Sequence, residues 1–104
     1  MLELPQNIPH SQIGEATLIN ADCFDVFPHI KDQSVDAIIA DLPFFGVVKD
    51  DWDNQWKTEK EYLEWCKEVI IQYKRVLKDN GNIFLRNYPF DEPINIIELF
   101  QSIL

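Results

Sequence analysis

The residues with chemistry in them stand at the end of an apolar, β-branched run. Val35-Asp36-Ala37-Ile38-Ile39-Ala40 stops abruptly in Asp41-Leu42-Pro43-Phe44. A carboxylate and adjacent backbone carbonyls at a strand end can accept hydrogens from an amino group. Pro43 has no backbone N–H to compete and a fixed φ, which helps aim the carbonyls beside it. An aromatic ring one residue further on can stack on a flat partner. Ligands in open α/β sheets collect at the carboxyl edge of the strands, so strand, carboxylate, proline and ring come in the order such a site needs. By itself the tetrapeptide is more simply a strand that ends in a turn with a buried Phe.

Other candidates are weaker. Asp22, ahead of Cys23 and Phe24, has the form of a short-helix N-cap. Residues 42–57 make a long irregular segment carrying Phe44, Phe45, Gly46, Trp52, Asp53 and Trp56. A loop of that length and aromatic content is more often functional than connective, although half of its rings can equally form a lid's own small core. Tyr62, Trp65 and Tyr73 read as helix packing, and His10 and His29 have no partner pattern. Cys23 and Cys66 lie far apart with no metal spacing, which fits two free thiols in a reduced, cytoplasmic protein without a metal site.

The elements that must position these residues emerge from periodicity. Residues 1–15 are polar, without a period, and read as an extended lead-in. Ala16–Asn20 is a short strand. Phe24, Phe27 and Ile30 recur at helical spacing, a short helix frayed by Pro28. Asp32-Gln33-Ser34 is a turn, and Val35–Ala40 reads as a buried parallel strand. Thr58 and Glu61 have the capping-box form, and Tyr62, Cys66, Val69, Ile70, Tyr73 and Leu77 make a helical stripe behind it. That helix is expected to stop at Lys78-Asp79-Asn80-Gly81, with Gly81 left-handed past its end. Asn82–Tyr88 is a second strand, and residues 91–104 another amphipathic helix. Strand, loop, helix, strand, helix is the alternation of an α/β fold with a parallel sheet, in one domain over residues 16–104.

Composition narrows the role. The chain has 104 residues, 46% of them hydrophobic, and a formal net charge of −9 from 18 acidic and 9 basic residues. A chain this long buries a thin core. Its charge argues against this segment gripping phosphates itself, because nucleic-acid footprints are basic. The first ten residues have neither a basic start nor an apolar core, and no apolar run approaches the roughly 20 residues of a membrane span.

With these residues in view, Asp41-Leu42-Pro43-Phe44 resembles the Asp-Pro-Pro-Tyr tetrapeptide of the amino-methylating DNA methyltransferases. Asp41 and Pro43 match outright, Phe44 is an aromatic replacement, and Leu42 departs from proline. The resemblance extends along the chain from residue 16. Asn20-Ala21-Asp22-Cys23-Phe24 is similar to the segment before the catalytic strand, and Ser34–Asp41 to the run leading into it. Trp52-Asp53-Asn54-Gln55-Trp56 and Glu61-Tyr62-Leu63-Glu64-Trp65 resemble the loop and helix after the tetrapeptide in one branch of these enzymes, and Arg75–Phe84 resembles the segment before the next strand.

The resemblance implies a partial Rossmann-like domain that uses S-adenosylmethionine, with a mostly parallel sheet. An exocyclic amino group is a poor nucleophile, because its lone pair is delocalised into the ring. The enzyme must hold the base out of its duplex, accept the amino hydrogens and present the methyl in line. Asp41, the Leu42 backbone, Pro43 and Phe44 take the base-facing roles, with Phe44 stacking on a flipped base of double-stranded DNA. Asp22, with Cys23 beside it, matches the acidic residue that meets the cofactor's adenine, and Asp41 lies between the cofactor's methionine end and the target. Asp at the first motif position leans towards adenine N6 over cytosine N4.

These enzymes also need a Phe-x-Gly-x-Gly turn for the methionine part of the cofactor. Gly14, Gly46 and Gly81 form no such turn. The order therefore resembles the β group, and the expectation is a truncated, N-terminal portion. In the family, the strands matching Ala16–Asn20 and Val35–Ala40 are not neighbours, which leaves an edge of Val35–Ala40 open; the alternative is that Ala16–Asn20 shifts to pair directly with Val35–Ala40. Rival readings are a non-catalytic subunit that binds a complementing chain or itself through this unfinished sheet, and an RNA or protein amino-methyltransferase.

Overall fold

The computed structural model describes residues 2–43 and 56–86. In chain order they form β1 (His10–Ile13), β2 (Ala16–Ile19), α1 (Cys23–Val26) running into a 3-10 turn (Phe27–His29), β3 (Val35–Asp41), α2 (Glu59–Val76) and β4 (Leu77–Arg86). β1 and β2 pair antiparallel, and β3 and β4 pair parallel in a second sheet. This is a mixed α/β architecture. Phe44, Trp52, Asp53 and the helix expected over 91–104 lie outside the described residues.

The lead-in is more ordered than its composition suggests. Ile13 pairs with Ala16 across a two-residue turn whose Gly14 has φ +59°, a left-handed conformation that glycine adopts without strain. Thr17 donates to Gln12 across the hairpin at 2.7 Å. All four β1 residues are exposed, so no buried face imposes the alternation that would have marked a strand.

α1 behaves as its spacing predicts. Asp22 Oδ1 accepts the Phe24 N–H at 2.9 Å, and Pro28 turns the following residues into 3-10 geometry. α2 is capped by Thr58, whose hydroxyl accepts the Glu61 N–H at 3.2 Å; Glu61 reaches back to the Lys57 N–H at 2.9 Å. Tyr62, Cys66, Val69, Ile70 and Val76 are the buried stripe of α2.

Two expectations are corrected here. α2 ends at Val76 and passes straight into β4 through Leu77, in extended conformation (φ −78°, ψ 136°). Its last carbonyls need no glycine cap. The Gln33 N–H donates to the Arg75 carbonyl at 2.9 Å and the Ser34 N–H to the Val76 carbonyl at 2.8 Å, so the 32–34 turn caps the helix instead. Gly81 therefore lies inside β4. A Cβ there would come within 2.6 Å of Leu77 Cδ1 and 2.9 Å of the Asp36 carbonyl, so glycine is required for close approach rather than for a left-handed turn.

β3 also differs from a strand buried on both sides. Ile38 and Ala40, with Leu85 of β4, pack against a cluster holding Phe27, Leu42 and Val69. The opposite face is open: Ile39 is 85% exposed and its register partner Phe84 59%. Among the described residues, one helix packs on one face of a two-stranded sheet.

Candidate active site

β3 and β4 run parallel, with Asp41, the last residue of β3, opposite Arg86 in the register. Asp41 is exposed at the carboxyl end of its strand, where the sequence placed it. Its Oδ2 lies 3.7 Å from an Arg86 guanidinium nitrogen, with both side chains largely in solvent. An ion pair this long and wet adds little stability; what it establishes is a cation beside the carboxylate. Arg86 escaped the sequence reading because only the parallel register brings it to Asp41.

The chain then turns under two anchors. Leu42, the residue that departs from proline, is 6% exposed and joins the cluster of Phe27, Ala40 and Val69. Its apolar side chain gives the turn a hold in the core. Pro43 is half-buried, and its carbonyl accepts a hydrogen bond from the Tyr62 hydroxyl at 2.9 Å. Tyr62 thus does more than pack in α2. Trp56 closes over the same place, its ring 4.9 Å from that of Tyr62 and 5.1 Å from that of Trp65, so this aromatic serves a small core.

Cys23 and Phe24, beside Asp22, pack against the cluster that holds Leu42. The fold therefore sets the start of α1 and Leu42 against one core. Asp22 itself is exposed. One of its oxygens accepts the Phe24 N–H, so the N-cap role holds, and the other is not used by that bond. Neither thiol is arranged as a nucleophile. Burial raises the Cys23 thiol, with the Asp22 charge adding to it, and pushes Cys66 up to about 11. A hollow of about 710 Å³ beside Leu2, His29 and Val35 touches none of the site residues. Among the described residues there is no group of three or more His, Cys, Asp or Glu side chains that could hold a metal, and no helix long and apolar enough to cross a membrane.

Asp22, the acidic residue that the resemblance assigns to the adenine of S-adenosylmethionine, is an exposed carboxylate at the N-cap of α1. The methionine end finds no glycine cradle among the described residues, because Gly14 is in a hairpin turn and Gly81 is closed in by Leu77 and Asp36.

β3, α2 and β4 form a parallel β-α-β unit with the Asp41 carboxylate and Pro43 at its carboxyl edge. The DNA methylase family model matches residues 35–101, and the chain belongs to that family. It is 36% identical over 82 residues to the type II methyltransferase M.BamHI of Bacillus amyloliquefaciens, covering 78% of this chain and 19% of that protein. It is 32% identical over 81 residues to M.BglII of Bacillus subtilis, covering 78% of this chain and 21% of that one. It is 36% identical over 72 residues to the DNA adenine methyltransferase YhdJ of Escherichia coli, covering 68% and 24%. The chain thus spans about a fifth to a quarter of the length of these relatives. No solved structure matches it significantly.

Proposed function

We propose that this chain is the amino-acceptor portion of a cytoplasmic, site-specific DNA methyltransferase that modifies the N6 amino group of adenine, within a Rossmann-like sheet completed by further chain. The observation that carries the reading is the exposed carboxylate of Asp41 at the end of β3, followed by a turn anchored through Leu42 and Pro43. Asp41 and the Leu42 carbonyl accept the two hydrogens of an amino group flipped from double-stranded DNA. That localises the nitrogen lone pair and makes it nucleophilic. S-adenosylmethionine, when bound, supplies the electrophilic methyl. Asp22 holds the adenosine end, with Cys23 packed beneath it, and Phe44 supplies the stacking face. Adenine as the target is supported by Asp at the first motif position and by the adenine specificity in the name of the E. coli relative. With a net charge of −9, this segment leaves the grip on DNA phosphates to other chain.

The experiment joins this chain to the downstream part of the E. coli relative and supplies methyl-labelled cofactor with duplex DNA. Nucleoside chromatography should place the label in N6-methyl-2′-deoxyadenosine. Label in N4-methylcytosine would overturn the choice of base, and a folded fusion that labels no base would contradict the proposal. A second reading, a subunit that binds a partner without catalysis, is favoured by the open Ile39–Phe84 face; it predicts that last result.

A further inference from the structure

We propose that Tyr62 is a positioning residue for the amino-group chemistry at the end of β3, a role that rests on the methyltransferase reading above. Tyr62 is 2% exposed, and its hydroxyl donates to the Pro43 carbonyl at 2.9 Å. A phenol hydroxyl this deeply buried needs a partner. One partner is the backbone of the third motif residue, 19 positions earlier in the chain.

The geometry gives that bond a specific consequence. Pro43 has its φ fixed by the pyrrolidine ring. Pinning its carbonyl to Tyr62 fixes the orientation of the peptide after it, and so ψ. Both torsions at Pro43 are then set, one covalently and one by the phenol. Leu42, immediately before, is held by its side chain in the cluster that contains Val69. Tyr62 and Val69 are seven residues apart in α2, two turns on one face. One helix face thus grips two consecutive residues after Asp41, the first through its side chain and the second through its carbonyl. The ring of Tyr62 is itself steadied edge-on by Trp56, at 4.9 Å and 72°.

The result is a strand end whose acceptors are in place before a base arrives. The Tyr62 hydroxyl donates to the Pro43 carbonyl, and the Leu42 carbonyl belongs to the peptide immediately upstream, one residue after Asp41. Acceptors held in advance need no reorganisation when the amino nitrogen attacks, which lowers the barrier to transfer without tightening binding. Tyr62 touches neither base nor cofactor in this scheme; it acts through Pro43.

The test compares Tyr62→Phe with Tyr73→Phe. Both remove a phenol hydroxyl from α2 and keep the ring, but Tyr73 packs edge-on to Phe27 in the cluster that also holds Leu42, and the hydroxyl that meets the Pro43 carbonyl is that of Tyr62. In the full chain, carbonyl-13C proline combined with 15N-phenylalanine selects the Pro43–Phe44 and Pro89–Phe90 peptides alone, and a Phe90→Leu background leaves only the first. Tyr62→Phe should move the Pro43 carbonyl resonance upfield with the remaining spectrum in place, and Tyr73→Phe should not move it. In the fusion described above, Tyr62→Phe should lower kcat about tenfold, the worth of one hydrogen bond, with cofactor and DNA affinities unchanged. Tyr73→Phe should leave kcat as it is. An unmoved Pro43 resonance, or a kcat equal to the parent's in an active fusion, would overturn the role of Tyr62 and leave the methyltransferase reading intact. An inactive, folded parent fusion would overturn both.

Discussion

At the residue scale, the fold depends on a few side chains that join segments distant in sequence. Arg75 is the clearest. Its guanidinium donates to the Phe27 and Ile30 carbonyls at 2.7 and 2.8 Å and to Asp32 at 2.7 Å, while its own carbonyl accepts the Gln33 N–H. The end of α2 and the turn before β3 therefore cap each other. The buried acids of α2 make a testable contribution of their own. Cys66 is fully buried and its thiol is raised from 9.0 to about 11; Tyr73 is raised from 10.0 to about 12, in both cases mainly by burial. Each group keeps its proton in the folded chain after the unfolded chain has released it. Their contribution is thus fully present below pH 9 and lost progressively as pH rises to about 12. Urea unfolding across that range should show stability falling, and Cys66→Ala should flatten its lower half. An identical pH slope in Cys66→Ala would contradict the burial argument. The sequence could place both residues on a helical stripe, but it could not show that the Tyr62 hydroxyl meets Pro43 or that Arg86 meets Asp41. Periodicity identifies a face, and only the packed fold identifies what the face touches.

At the element scale, what was legible was whatever has a local cause. The Thr58 cap, the Pro28 break and the apolar run of β3 are each decided within a few residues. β1 was not legible, because its exposed residues His10–Ile13 carry no alternation, and neither was the role of Gly81. A glycine after a helical stripe signals a cap, but here the cap comes from the 32–34 turn, across the fold. Gly81 is instead small because Leu77 and the Asp36 backbone leave no room. Gly81→Ala should therefore destabilise the chain by about 1–3 kcal/mol, as overpacking does. A glycine needed only as a flexible terminator would show a smaller cost, and chemical denaturation of the variant distinguishes the two.

At the scale of the whole molecule, the described residues form two separate two-stranded sheets, not one continuous sheet. β2 pairs with β1, so it does not close the free edge of β3. That separation was anticipated from the family resemblance and not from any pattern in the residues, since strand order is a property of long-range packing. With Ile39 and Phe84 side by side on an uncovered face, the purified chain should self-associate despite its charge of −9. Sedimentation velocity should show association that rises with concentration and weakens in Ile39→Lys. A monomer at all concentrations would contradict it.

The central claim, that Asp41 readies an amino group for transfer, is tested most directly by Asp41→Ala in the chain completed with the downstream part of a relative. Asp41 is exposed at the strand end, so its loss should not disturb the core. Methyl transfer should fall at least about a hundredfold while S-adenosylmethionine affinity, measured by calorimetry, stays within about threefold, the signature of an interaction made in the transition state. Full activity in Asp41→Ala, or a loss accounted for by weakened cofactor binding, would contradict it.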